Sequence, residues 1–152
     1  MGRLVAMTAA TVLGFALVAC TQQQGQMASA GGVTYAAHLT GQDEVPPTTS
    51  TGTGDAKLTY DTTSKVLSWT VTYSGLSGPA TAGHIHGPAV AGANAGVVIP
   101  FDNVPKAASG TITGSKAITD AQYADLNSGR YYVNIHTDQN KGGEIRGQIA
   151  RQ

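Results

Sequence analysis

From Val33 onward, apolar and polar residues change places at every second position, in short runs broken by Gly, Pro, Ser and Thr. A period of two is the signature of half-buried β-strands and leaves little room for helix. Val33, Tyr35, Ala37 and Leu39 alternate with Thr34, Ala36, His38 and Thr40, so the odd set faces inward and the even set outward. Val45-Pro46-Pro47 ends that ladder, because proline has no N–H to donate. Residues 48–54 read as a polar loop. Segments 56–60 and 65–73 then read as a hairpin across Asp61-Thr62-Thr63-Ser64, with Leu58, Tyr60, Leu67, Trp69 and Val71 inward. Further strands are predicted over 80–86, 96–101, 109–118, 130–136 and 144–150. One segment favours helix: Thr119 and Gln122 form a capping box, Gly129 supplies the stop, and Tyr123 and Leu126 give it an apolar side. The expected architecture is all-β. A single antiparallel Ig-like Greek-key β-sandwich or flattened barrel over residues 33–152, with one short helix near 119–128, accounts for the pattern.

Three of the four histidines fall on two of these strands. Alternation places His84 and His86 on one face and sends Ile85 to the core; residues two apart on a face are roughly 6 to 7 Å apart, within reach of one ion. His136 on another strand would complete a three-nitrogen set. His38 shares the outward parity of Thr34 and Thr40 and is a reserve ligand only.

If 131–136 and 144–150 pair around a loop at 138–142, the simplest register sets His136 opposite Glu144, Asn134 opposite Arg146 and Tyr132 opposite Gln148. These polar residues then share one face, while Val133, Ile135, Ile145 and Ile149 point into the core. In a metal reading Glu144 accepts the outer N–H of His136, and Asn134 and Arg146 shape the approach of a ligand. In a purely structural reading Glu144 and Arg146 are a surface pair worth about 0 to 1 kcal/mol.

The first residues read as an address. Arg3 precedes an almost wholly apolar run from Leu4 to Val18, and Leu17-Val18-Ala19-Cys20 puts small residues before the only cysteine. This resembles a bacterial lipobox. The resemblance implies a signal peptide over 1–19, a lipidated Cys20, and a flexible tether over 20–32 that joins a membrane to the domain. Gln22, where the sorting rule for inner-membrane retention has Asp, implies the outer membrane facing the periplasm in a host with two membranes. With Cys20 acylated, no disulfide forms, and the roughly 120 residues that remain suffice for one core. Nine basic residues balance nine acidic ones, and only 12% of the chain is charged. Such a chain has no basic surface to hold phosphates, so nucleic acid is not an expected partner. No serine sits in a nucleophile elbow and no carboxylate pair marks a cleft, which argues against hydrolase chemistry.

Four motifs now line up in order: Ala37-His38-Leu39-Thr40-Gly41 with Glu44-Val45-Pro46-Pro47; Ala82-Gly83-His84-Ile85-His86-Gly87-Pro88; Tyr132-Val133-Asn134-Ile135-His136-Thr137; and Gly143-Glu144-Ile145-Arg146-Gly147-Gln148. Together they resemble the CHRD domain, the module first recognised in chordin and common in exported microbial proteins. The resemblance implies the fold and no particular activity. Separately, Gly83-His84-Ile85-His86-Gly87 is similar to the Gly-Phe-His-x-His segment of copper/zinc superoxide dismutases, where alternating histidines bind copper. That similarity implies His84 and His86 as copper ligands with His136 as a third. It extends to one metal, since the further zinc ligands and the disulfide of those enzymes have no counterpart here.

Three functions fit the sequence. The first is transition-metal binding, copper ahead of zinc in the usual affinity series, through His84, His86 and His136. The second is a non-catalytic surface module that meets a protein or glycan. The third is a superoxide dismutase-like redox activity.

Overall fold

The computed structural model describes residues 1–2 and 31–152. Nearly all of the leader, Cys20 and most of the tether lie outside the described residues. The chain runs β1 (Gly32–Thr40), β2 (Thr53–Asp61), β3 (Val66–Ser74), β4 (Ala80–His86), β5 (Val97–Pro100), β6 (Gly110–Ala117), α1 (Asp120–Asn127), β7 (Tyr132–Thr137), β8 (Ile145–Gln148) and β9 (Ala150–Arg151). All pair antiparallel in one sheet ordered β5-β4-β7-β8-β1-β2-β3-β6, with β9 beside β1. The sheet curls into a nearly closed barrel, so the flattened-barrel alternative describes it better than two separate layers.

The alternation read from the sequence is what closes the barrel around its core. Tyr35, Leu39, Leu58, Tyr60, Leu67, Val71, Ile112, Ile135, Ile145 and Ile149 all point inward and are almost fully buried. Trp69 packs against Phe101 with ring centroids 5.3 Å apart, and Gly114 lies directly against the indole, where any side chain would overlap it. The predicted hairpin forms in register, Leu58 opposite Trp69 and Tyr60 opposite Leu67, although β2 begins three residues earlier than expected. Thr53 and Gly54 extend it because Ser74 and Tyr73 offer partners beyond Val71. The capping box of α1 is complete, Gly129 adopts φ +68° after it, Leu126 is buried, and Tyr123 stacks on Tyr60 at 4.2 Å.

β4 and β7 lie side by side, and this pairing builds the site. His84 stands opposite Asn134, His86 opposite Tyr132 and Ala82 opposite His136. β8 adds Arg146 beside Asn134 and Gln148 beside Tyr132, the register expected from the sequence. Gly83 matters to this placement. A side chain there would press on Ile135 and Phe101, so its absence lets β4 settle on the core with its histidines turned outward.

Candidate metal centre

The polar face has the outward parity expected of it but is not open to solvent. Two loops roof it. From residues 42–47, Glu44 reaches Asn134 Nδ2 with an oxygen at 2.5 Å. From residues 88–96, Ala95, Ala93 and Ala89 turn their carbonyls onto His86, Arg146 and Gln148, and Asn94 Nδ2 donates to the Val45 carbonyl, tying the loops together. Asn134 and Arg146 are consequently all but inaccessible.

Beneath the roof His84, His86 and His136 converge, each offering one nitrogen within 4.8 Å of the others. His84 Nδ1 lies 3.0 Å from His136 Nε2. A metal–nitrogen bond of about 2.0 to 2.1 Å sets two ligand nitrogens about 2.9 Å apart at a right angle and about 3.4 Å apart at the tetrahedral angle. That pair is therefore already at coordination spacing, and the third nitrogen, within 4.8 Å, has about 1.4 Å to close by ring rotation.

Hydrogen bonds fix which nitrogens are bare. A carbonyl only accepts, so Nδ1 of His136, 2.9 Å from the Lys141 oxygen, carries its proton and leaves Nε2 with a lone pair. Nδ1 of His86 donates in the same way to Ala95 at 3.0 Å, and its Nε2 is buried without a partner. His84 Nδ1 donates to His136 Nε2, and for both nitrogens to bind an ion His84 must take the other tautomer, with its proton on Nε2. Burial, together with the neighbouring His136 and His86 rings, pushes His84 down to about 4. Burial also lowers His86 and His136, against the raising effect of their carbonyl bonds. All three imidazoles are neutral at pH 7, the state a metal requires.

Glu144 does not support His136. Its carboxylate turns away and accepts from Ser50 Oγ, Ser77 N, Ser77 Oγ, Thr137 Oγ1 and Asn140 Nδ2. These donors lie on three loops and the last residue of β7, and a carboxylate that already collects them has no reason to reach an imidazole. The acceptor for His136 is the Lys141 carbonyl, which no side-chain pattern could have announced. Nor do Glu144 and Arg146 form a surface pair. The Arg146 guanidinium lies 3.4 Å over the Tyr132 ring and donates to Asn94 Oδ1 and the Ala93 carbonyl. Tyr132 in turn stacks on His86, centroids 5.0 Å apart and 5° from parallel. Asn134 pairs with Glu44, whose carboxyl burial pushes up to about 7. His38 stands apart. It pairs with Asp55 at 2.9 Å in an exposed groove of about 740 Å³ that excludes the three histidines.

Tyr132 and Glu44 were missed as contributors. The parity of Tyr132 with Asn134 and His136 was the available signal for the first; for Glu44, brought from a loop ninety positions away from Asn134, there was none.

No curated protein and no solved structure matches this chain. The family model of the CHRD domain matches residues 35–149, from the first strand to the end of the core and across the whole histidine-bearing face. That span covers most of the chain, which is a member of the CHRD domain family.

Proposed function

We propose that this protein is a membrane-anchored, exported CHRD-domain protein that binds one transition-metal ion through His84, His86 and His136. One observation carries the reading: His86 and His136 are each pinned through Nδ1 to a backbone carbonyl, so that a bare Nε2 is presented toward the other rings, and that of His86 is buried with no partner among the described residues. An orphaned buried nitrogen costs free energy unless something binds it. Nitrogen donors in this number suit copper or zinc, and copper binds the tighter in the general affinity order. The lipobox-like Leu17-Val18-Ala19-Cys20 supports anchoring through lipid on Cys20.

Calorimetric titration of the purified protein with copper and with zinc tests the reading. One equivalent should be taken up, and the uptake should vanish in a His84→Ala, His86→Ala double variant that keeps its circular dichroism spectrum. No heat with either ion would leave the non-catalytic interaction module as the function. Superoxide decay no faster than with free copper in the same buffer would dispose of the redox reading.

A further inference from the structure

Resting on the metal reading above, we propose that the centre is built for a monovalent ion, cuprous copper held by three nitrogens, in preference to any divalent ion. Two observations carry this. The first is charge. Among the described residues no carboxylate bonds any of the three rings; the charged side chain packed toward them is Arg146, a cation lying on the Tyr132 ring that itself stacks on His86. Arg146 is 1% exposed and, among the described residues, forms no ion pair. Its partners are the Ala93 carbonyl, the Asn94 amide and the Tyr132 ring, which relays its proximity to His86; the nearby Glu44 carboxyl feels its charge but is pushed toward the neutral form by burial. Charge added beside a fixed buried cation is opposed in proportion to its size, so a dication is penalised about twice as much as a monocation.

The second observation is the number of ligands. Among the described residues no fourth His, Cys, Asp or Glu joins the three, since Glu144 is committed to the serine and threonine hydroxyls and His38 to Asp55. Divalent copper and zinc normally take four or more donors, so either would have to complete its shell here with water or another ligand from outside the protein. A filled-shell monovalent ion is satisfied by three, at a nitrogen spacing of about 3.5 Å for bonds of about 2.05 Å, within ring-rotation reach of the present arrangement.

The test uses full-length protein in detergent. Affinity for Cu(I) is read under ascorbate against a chromophoric cuprous chelator, and affinities for Cu(II) and Zn(II) against chelators selective for those ions. Cu(I) should bind at least about a hundredfold more tightly than either, which raises the bound copper couple above that of the hydrated ion by about 120 mV at 59 mV per tenfold. Arg146→Gln should cut the preference about tenfold and Arg146→Lys should retain it. Because a buried arginine variant can fail to fold, Ala82→Asp is the second probe. Ala82 is half-buried and stands opposite His136, so an aspartate there supplies the missing anionic donor. It should tighten Cu(II) and Zn(II) and leave Cu(I) nearly unchanged. Divalent binding as tight as cuprous binding would overturn this proposal and leave the metal centre standing. Failure to bind any of the three ions would overturn both.

Discussion

Glu144 offers the sharpest test of the packing described above, because its replacement by glutamine separates a structural role from support of His136. The side chain is 0% exposed and accepts five hydrogen bonds, between 2.5 and 3.1 Å, from Ser50, Ser77, Thr137 and Asn140. Burial alone would raise its pKa. The Ser77, Thr137 and Ser50 hydroxyls and the Ser77 amide outweigh burial and hold it at about 2, against an ordinary 4.5. At roughly 1.4 kcal/mol per pH unit, the gap corresponds to about 3 kcal/mol of stability. A depressed carboxyl contributes that stability in full above its unfolded value and loses it as pH falls through its folded value. The window therefore runs from about pH 5 down to about pH 2. Glu144→Gln turns one acceptor oxygen into a donor facing hydroxyls and should cost about 2 to 4 kcal/mol at pH 7. Urea unfolding followed by tryptophan fluorescence should show a midpoint lowered by about 2 M, taking a slope of about 1.5 kcal/mol per M. Repeated at pH 5, 4, 3 and 2, the stability of the variant should fall less steeply than that of the native protein, the two curves converging by about 3 kcal/mol. Metal uptake by the folded variant should be unchanged. Parallel acid limbs, or a folded variant that has lost its metal, would refute the reasoning.

Glu44→Gln should act in the opposite pH range. Burial raises the Glu44 carboxyl to about 7, so its contribution is present below about pH 4.5 and is lost as pH rises through 7; the amide should flatten that decline and make the variant about 1 to 3 kcal/mol more stable than native at pH 8, as measured by urea unfolding. Gly143 holds φ +135° with Asn134 and Glu44 against the place a Cβ would occupy, so Gly143→Ala should cost at least about 2 kcal/mol, and a wild-type midpoint would contradict this. With burial holding all three histidines below their ordinary 6.5, zinc affinity should fall by less between pH 7 and pH 5.5 than the roughly 600-fold expected of three ordinary imidazoles, and a loss that large would count against it. Cys20→Ala should abolish acyl labelling and move the protein from membranes to the soluble fraction on centrifugation.

The barrel was legible because alternation fixes parity, and parity fixes which face each side chain meets. Leu58 opposite Trp69, Asn134 opposite Arg146 and the capped helix after Thr119 all follow from local pattern. The convergence of His136 with His84 and His86 required only that their strands be neighbours. What alternation cannot supply is the far side of a face. Arg146 and Asn134 sit on the outward parity, yet loops 42–47 and 88–96 bury them, and these loops carry no periodic signal. Glu144 was misassigned for a related reason. It stands at the mouth of β8, where the ladder ends and a side chain answers to whichever donors the loops bring; Ser50 and Ser77 come from 94 and 67 residues away.

The roof over the histidines grips through main-chain oxygens at Ala89, Ala93 and Ala95. An oxygen of this kind is the same whatever side chain its residue bears. Ala93 and Ala95 can therefore be rewritten while the rings beneath keep their aim, whereas the buried Ala89 and the amide of Asn94 leave less freedom. A change in the length of the stretch is another matter: one residue gained or lost would carry all three oxygens out of place together.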